Sequence, residues 1–171
     1  MKRSTILFAA LMAFAFGGYT GPAPTSAQKQ PVLLIDMFYS YASAASVQEH
    51  LKKLGLPWSV VENSQLPAGD RRPRFDMVTI SVAHFEYLGD VGELQLRFFN
   101  DRLMSTWFFP GDSGSFRHLL ESKLKVSLAR EATIPPFTRI WTDKDYKGRI
   151  YFGWEDSRLA REQSLWLEKY S

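Results

Sequence analysis

The chain contains no cysteine. That excludes disulfide staples, thiolate metal ligands, a cysteine nucleophile, and the lipid attachment that a bacterial lipoprotein makes at its cleavage point. Histidine is scarce: His50, His84 and His118 are the three present, and none has a neighbour at metal-ligand spacing. No apolar run is long. Ile6 to Phe16 falls well short of the roughly 20 residues that span a bilayer. Nor is charge of one sign in large excess, at +3 net. Two of the positive charges are Lys2 and Arg3. Without them one more basic than acidic side chain remains, so a nucleic-acid partner is not indicated.

What is present begins with an export signal. Lys2 and Arg3 form a positive start, Ile6 to Phe16 an apolar core, and Gly17-Gly18 with Pro22 and Pro24 a helix-breaking stretch. Thr25-Ser26-Ala27 supplies the small residues that signal peptidase requires. Residues 1–27 are therefore read as a cleaved secretory signal peptide and 28–171 as one domain, periplasmic or secreted, with no stable membrane span after cleavage. That length can bury a core without staples.

Period-two patterning is clearest from Met77 to Phe109. Val78, Ile80 and Val82 alternate with polar or small residues, as do Leu94, Leu96 and Phe98. Turns are expected over Gly89-Asp90-Val91-Gly92 and at Asn100-Asp101, the latter because both residues tolerate positive φ. This predicts a three-stranded antiparallel meander. Further strands are expected at Val32–Phe38, Trp58–Val61, Arg139–Thr142 and Arg149–Trp154. Helices are expected from a Ser46…Glu49 capping box to Leu54, from caps among Asp112, Ser113 and Ser115 through Leu124 or Leu128, and over Asp156–Lys169, where a strand over Leu165–Tyr170 is the alternative. Gln65–Arg74 and Ala132–Pro136 look like linkers. The predicted fold is α+β: a two-layer sandwich with an antiparallel meander sheet and two or three helices.

Several motifs invite chemistry and do not sustain it. Gly111-Asp112-Ser113-Gly114 matches the serine loop of trypsin-like proteases, yet it stands between a strand and a helix start, where turn and cap residues are expected. Asp143 to Gly148 opens like a calcium loop, but Lys147 and Trp154 stand where oxygen ligands are required. No metal and no cofactor are expected. His84 and Glu86 share strand parity with Val78, Ile80 and Val82, so His84 is expected toward the core or its rim. The pair is the candidate acid–base couple of a small hydrolase, with Asp76 or Asp101 as a possible third member.

The opposite parity gathers Phe85, Tyr87, Gln95, Arg97, Phe99, Arg102, Met104 and Phe108. Covered by helices, this face is a second part of the core, and that is the expectation, because so large an open apolar face is unusual. Left open, it has the aromatic–arginine composition of an interface. Arg71, Arg72 and Arg74 form a basic loop suited to an anionic envelope component. The functional expectation is a non-enzymatic binding or accessory protein of the bacterial cell envelope. It contacts a protein or envelope component through Phe85, Tyr87, Arg97, Phe99 and Arg102, with the basic loop. The hydrolase at His84 and Glu86 is the alternative.

Overall fold

The computed structural model describes residues 30–171, so the expected signal peptide lies outside the described residues. The apolar run Val32–Phe38 does not stay extended. Asp36 takes φ 51°, and the chain doubles back as a small hairpin of β1 (Leu33–Ile35) and β2 (Phe38–Tyr39). Helix α1 (Ala44–Lys53) starts before the expected capping box. Ser43 is its N-cap, accepting from the Ser46 amide at 3.1 Å, and Asp101 accepts from the Ala44 amide at 2.9 Å. With two acceptors already at the first turn, helix-forming Ala44 and Ala45 join the helix. Gly55, at φ 68°, ends it as predicted.

Then come β3 (Trp58–Gln65), β4 (Asp76–Tyr87), β5 (Asp90–Phe99) and β6 (Arg102–Phe109). Strands β4 to β6 are the predicted meander. The Asn100-Asp101 turn has both residues at positive φ, 50° and 59°. The preceding turn is Leu88-Gly89, also both positive, so Asp90, Val91 and Gly92 belong to the strand rather than the turn. Helix α2 (Ser113–Leu124) is capped by Asp112, which accepts from the Gly114 amide at 2.9 Å and the Ser115 amide at 3.2 Å. The protease-like tetrad is thus a helix cap. The segment read as a linker contains β7 (Ala132–Ile134), an edge strand; β8 (Thr138–Lys144), β9 (Ile150–Asp156) and helix α3 (Ser157–Tyr170) complete the chain.

Seven strands form one antiparallel sheet in the order β3-β4-β5-β6-β9-β8-β7. Its β6–β9 pairing joins the meander to the C-terminal hairpin. One face carries Ile80, Leu96, Phe108, Phe152 and Trp154, all buried under α1, α2 and the β1–β2 hairpin. This is the α+β layer expected. On the other face, Leu159 of α3 closes a small cluster with Met77, Phe99 and Met104 at one end of the strands. Among the described residues no helix is long and apolar enough to cross a membrane.

Candidate binding face

Three bulges decide which side chains reach the uncovered face. In β4 the register slips between Val82 and Phe85, with His84 at φ 55°. The slip reverses strand parity. Phe85 therefore enters the core, 2% exposed, and His84 and Glu86 turn to solvent. The inward His84 expected from alternation is corrected by this bulge. Among the described residues the structure shows no hydrogen bond between His84 and Glu86. Asp76 is at the far end of the strand, ion-paired with Arg74, and Asp101 caps α1. The expected acid–base constellation is not assembled.

Tyr87 follows Phe85 to the helix side, with ring centroids about 6 Å from those of Phe108, Phe116 and Trp154. Phe108 is likewise core. Phe99 and Met104 have the expected parity but lie beneath α3, where Arg102 pairs with Glu162 at 2.6 Å. In the basic loop, Arg72 chelates Asp70 at 2.8 Å and donates to the Tyr170 carbonyl at 2.9 Å. Arg74 is held by Asp76, so two of the three loop arginines are neutralised locally. Of the predicted binding residues, Arg97 alone remains on the sheet face beyond α3, with Gln95 beside it.

The covered arrangement holds where α3 lies over Phe99 and Met104; beyond α3, Gln95, Arg97, Trp107 and Trp141 stay half-buried, while Phe109 and Tyr151 are buried against their neighbours. The second bulge, opposite Arg97 and Phe98, sets Ser105, Trp107 and Phe109 on this face from β6. Strand β9 adds Tyr151, Gly153 and Glu155, and β8 adds Arg139 and Trp141. The Arg97 guanidinium lies 4.1 Å from the centroid of Trp107, which stacks on Tyr151 at 4.5 Å and 24°. Tyr151 meets Phe109 at 5.4 Å, and Arg149 caps Phe109 at 4.3 Å. The row is closed at the far side by Trp141. Its indole lies so flat across Gly153 that a Cβ there would come within 2.4 Å of the ring. Only glycine admits this packing.

The third bulge, in β3, steps from Val60 to Glu62. Val61 and Glu62 form one wall of a cleft of about 400 Å³ whose base includes Thr79, Gln95 and Arg97. Trp107, Phe109 and the β8–β9 turn at Asp145 to Lys147 line the rest. The turn is fixed by Asp145, whose Oδ1 accepts the Lys147 and Arg149 amides, each at 2.9 Å. Arg149 then bridges Asp145 at 2.8 Å and Glu93 at 2.7 Å, tying the turn to β5. This hydrogen-bonded hairpin stands where the sequence hints at a calcium loop. Among the described residues no group of three or more acids or histidines could hold a metal.

Electrostatics sort the charged groups. Burial pushes the Glu93 carboxyl up, but hydrogen bonds from Gln95, Arg149 and Ser81 outweigh it and hold the group below the usual carboxylate range. Burial raises Glu155 despite its ion pair with Arg139. Burial also pulls Arg97 below the ordinary arginine value, with the fields of Glu62, Tyr151 and Glu155 opposing. No family model matches the chain, and a comparison with curated proteins finds no match.

Sequence reading missed Trp107, Trp141, Tyr151 and Arg149. A signal existed: Arg139, Trp141 and Asp143 alternate, as do Tyr151, Gly153 and Glu155. What no local pattern reveals is that β9 pairs with β6 and so lays these rows beside Arg97.

Proposed function

We propose that this chain is an exported, non-enzymatic binding protein of a bacterial envelope, taking a protein or envelope component on its open sheet face. The observation that carries the reading is the continuous row Arg97–Trp107–Tyr151–Phe109–Arg149. Its rings and guanidinium groups are fixed against one another by stacking while Arg97 and Trp107 stay partly exposed. Tryptophan, tyrosine and arginine are the residue types that anchor interfaces, and a rigid row loses little conformational entropy on binding. The Asp145–Lys147 turn adds Tyr146, 91% exposed, at the edge of the same surface. Export is supported by the charged start, apolar core and small-residue cleavage site of residues 1–27. The hydrolase alternative gains nothing from an exposed His84 and Glu86.

The test is capture from the native envelope with three baits: the wild-type chain, a Tyr146→Ser/Lys147→Glu variant, and a Leu119→Ser variant on the outer side of α2. A component retained by wild type and Leu119→Ser but lost by the turn variant supports the proposal. Retention by all three contradicts it.

A further inference from the structure

We infer that the cleft over Arg97 is a subsite for one oxyanion group, a carboxylate or phosphate, carried by the component that docks on the face. This inference rests on the binding-face reading and names the chemistry of its anchor.

The other arginines on this sheet's strands and its β8–β9 turn are matched with acids. Arg149 holds Glu93 and Asp145, Arg139 holds Glu131 and Glu155, and Arg102 holds Glu162. Among the described residues Arg97 makes no ion pair and no hydrogen bond, although it sits mid-strand with its guanidinium stacked on Trp107. Glu62 lines the same cleft and its field reaches Arg97, but it forms no ion pair with Arg97, and its Oε2 accepts from the Thr79 hydroxyl at 2.7 Å. A half-buried guanidinium without a protein acceptor keeps its N–H groups available to solvent or to a ligand's oxygens.

The other donors at the base of the cleft are already committed. Thr79 donates to Glu62, and the Gln95 amide donates to Glu93 at 2.7 Å. Arg97 lines the cleft with a guanidinium engaged by no acid, Lys147 adds a second cation at the rim, and a planar guanidinium is matched by the paired oxygens of a carboxylate or phosphate. The indole N–H of Trp107, the ring on which Arg97 stacks, is buried without an acceptor. A space of about 400 Å³ admits a small group or a chain end. Glu62 opposes the incoming negative charge, and that gives the inference a sign that can be checked.

The experiment is an NMR titration of the chain, following the Arg97 Nε–H and Trp107 Nε1–H signals. The probes are inorganic phosphate, an acetylated dipeptide with a free C-terminal carboxylate, and the same dipeptide amidated. Saturable shifts with phosphate alone assign a phosphate source, and shifts with the free dipeptide but not its amide assign a carboxylate source. The effective probe weakens by about tenfold or more in Arg97→Gln. It weakens less in Arg97→Lys, and it tightens by about threefold in Glu62→Gln as repulsion is removed. Equal binding of the amidated dipeptide, no binding of any probe, or binding unchanged in Arg97→Gln overturns the inference. If no probe binds while capture still depends on Tyr146 and Lys147, the oxyanion subsite fails and the binding face stands.

Discussion

Arg97 lies 4.1 Å above the ring of Trp107, and the other side of the sandwich is Tyr151, 4.5 Å from the same indole. A cation is thereby held on an aromatic support in the middle of a sheet face, with no carboxylate paired to it. Such an arrangement orients the group without neutralising it. Arg158 is the contrasting case. It forms an ion pair with the fully buried Asp156 at 2.6 Å, and Asp156 is also hydrogen-bonded by Ser40 at 2.8 Å.

The contrast predicts different costs for the same substitution. Arg158→Met leaves a buried carboxylate without its counter-charge and should destabilise by about 3 kcal/mol. Arg97→Met strands no acid and exchanges a cation–π contact for apolar packing, so stability should stay within about 1 kcal/mol of wild type. Urea denaturation midpoints of the two variants check this. Equal losses would mean that Arg97 serves the fold rather than the face.

Gly153 and Trp141 form a second coupled pair. A Cβ at position 153 would press on the Trp141 indole carbons at 2.4–2.8 Å. Gly153→Ala should therefore cost about 1–3 kcal/mol through overpacking. In a Trp141→Ala background the same substitution should cost under about 1 kcal/mol, a non-additivity expected only of residues in contact. A double-mutant cycle by thermal unfolding measures the coupling, and additive costs would show that the indole does not lie across the glycine.

Asp156 sets a pH dependence of known sign. Burial pushes its carboxyl up, but hydrogen bonds from Arg158 and Ser40 prevail and hold it below the usual carboxylate range. The folded state therefore binds fewer protons than the unfolded one, whose carboxyl titrates near about 3.9. Its stabilisation is complete above that value and is lost as pH falls through the lower folded-state value. Asp156→Asn should be less stable than wild type by about 2–3 kcal/mol at pH 7. The gap should narrow as pH approaches about 3. Chemical denaturation across that range tests it, and a gap independent of pH would contradict the assignment.

Much of the fold was legible because its signals are local. Alternation through Ile80 and Leu96 exposes the meander, and Asn100-Asp101 announces a turn that needs positive φ at both positions. The face was less legible. Parity arguments hold only while the ladder is regular, and the bulge at His84 sent Phe85 and Tyr87 to the core side. Arg97, upstream of the β5–β6 irregularity and still in register with Thr79, stayed where alternation placed it. Trp107, Tyr151 and Trp141 come together only through the long-range pairing of β6 with β9 and of β9 with β8. Helix α1 shows the same limit on a smaller scale: Asp101, distant in sequence, supplies a capping acceptor that shifts the helix start ahead of Ser46.

If the proposed partner docks on the sheet face beside the Asp145–Lys147 turn, Tyr146 is within its reach. Photo-crosslinking in the native envelope tests this docking most directly, with a benzophenone side chain in place of Tyr146 and, separately, in place of Leu119 on the opposite layer. A discrete covalent adduct is expected from position 146 and none from position 119. An adduct from 119 alone, or none from 146, would contradict the proposed docking.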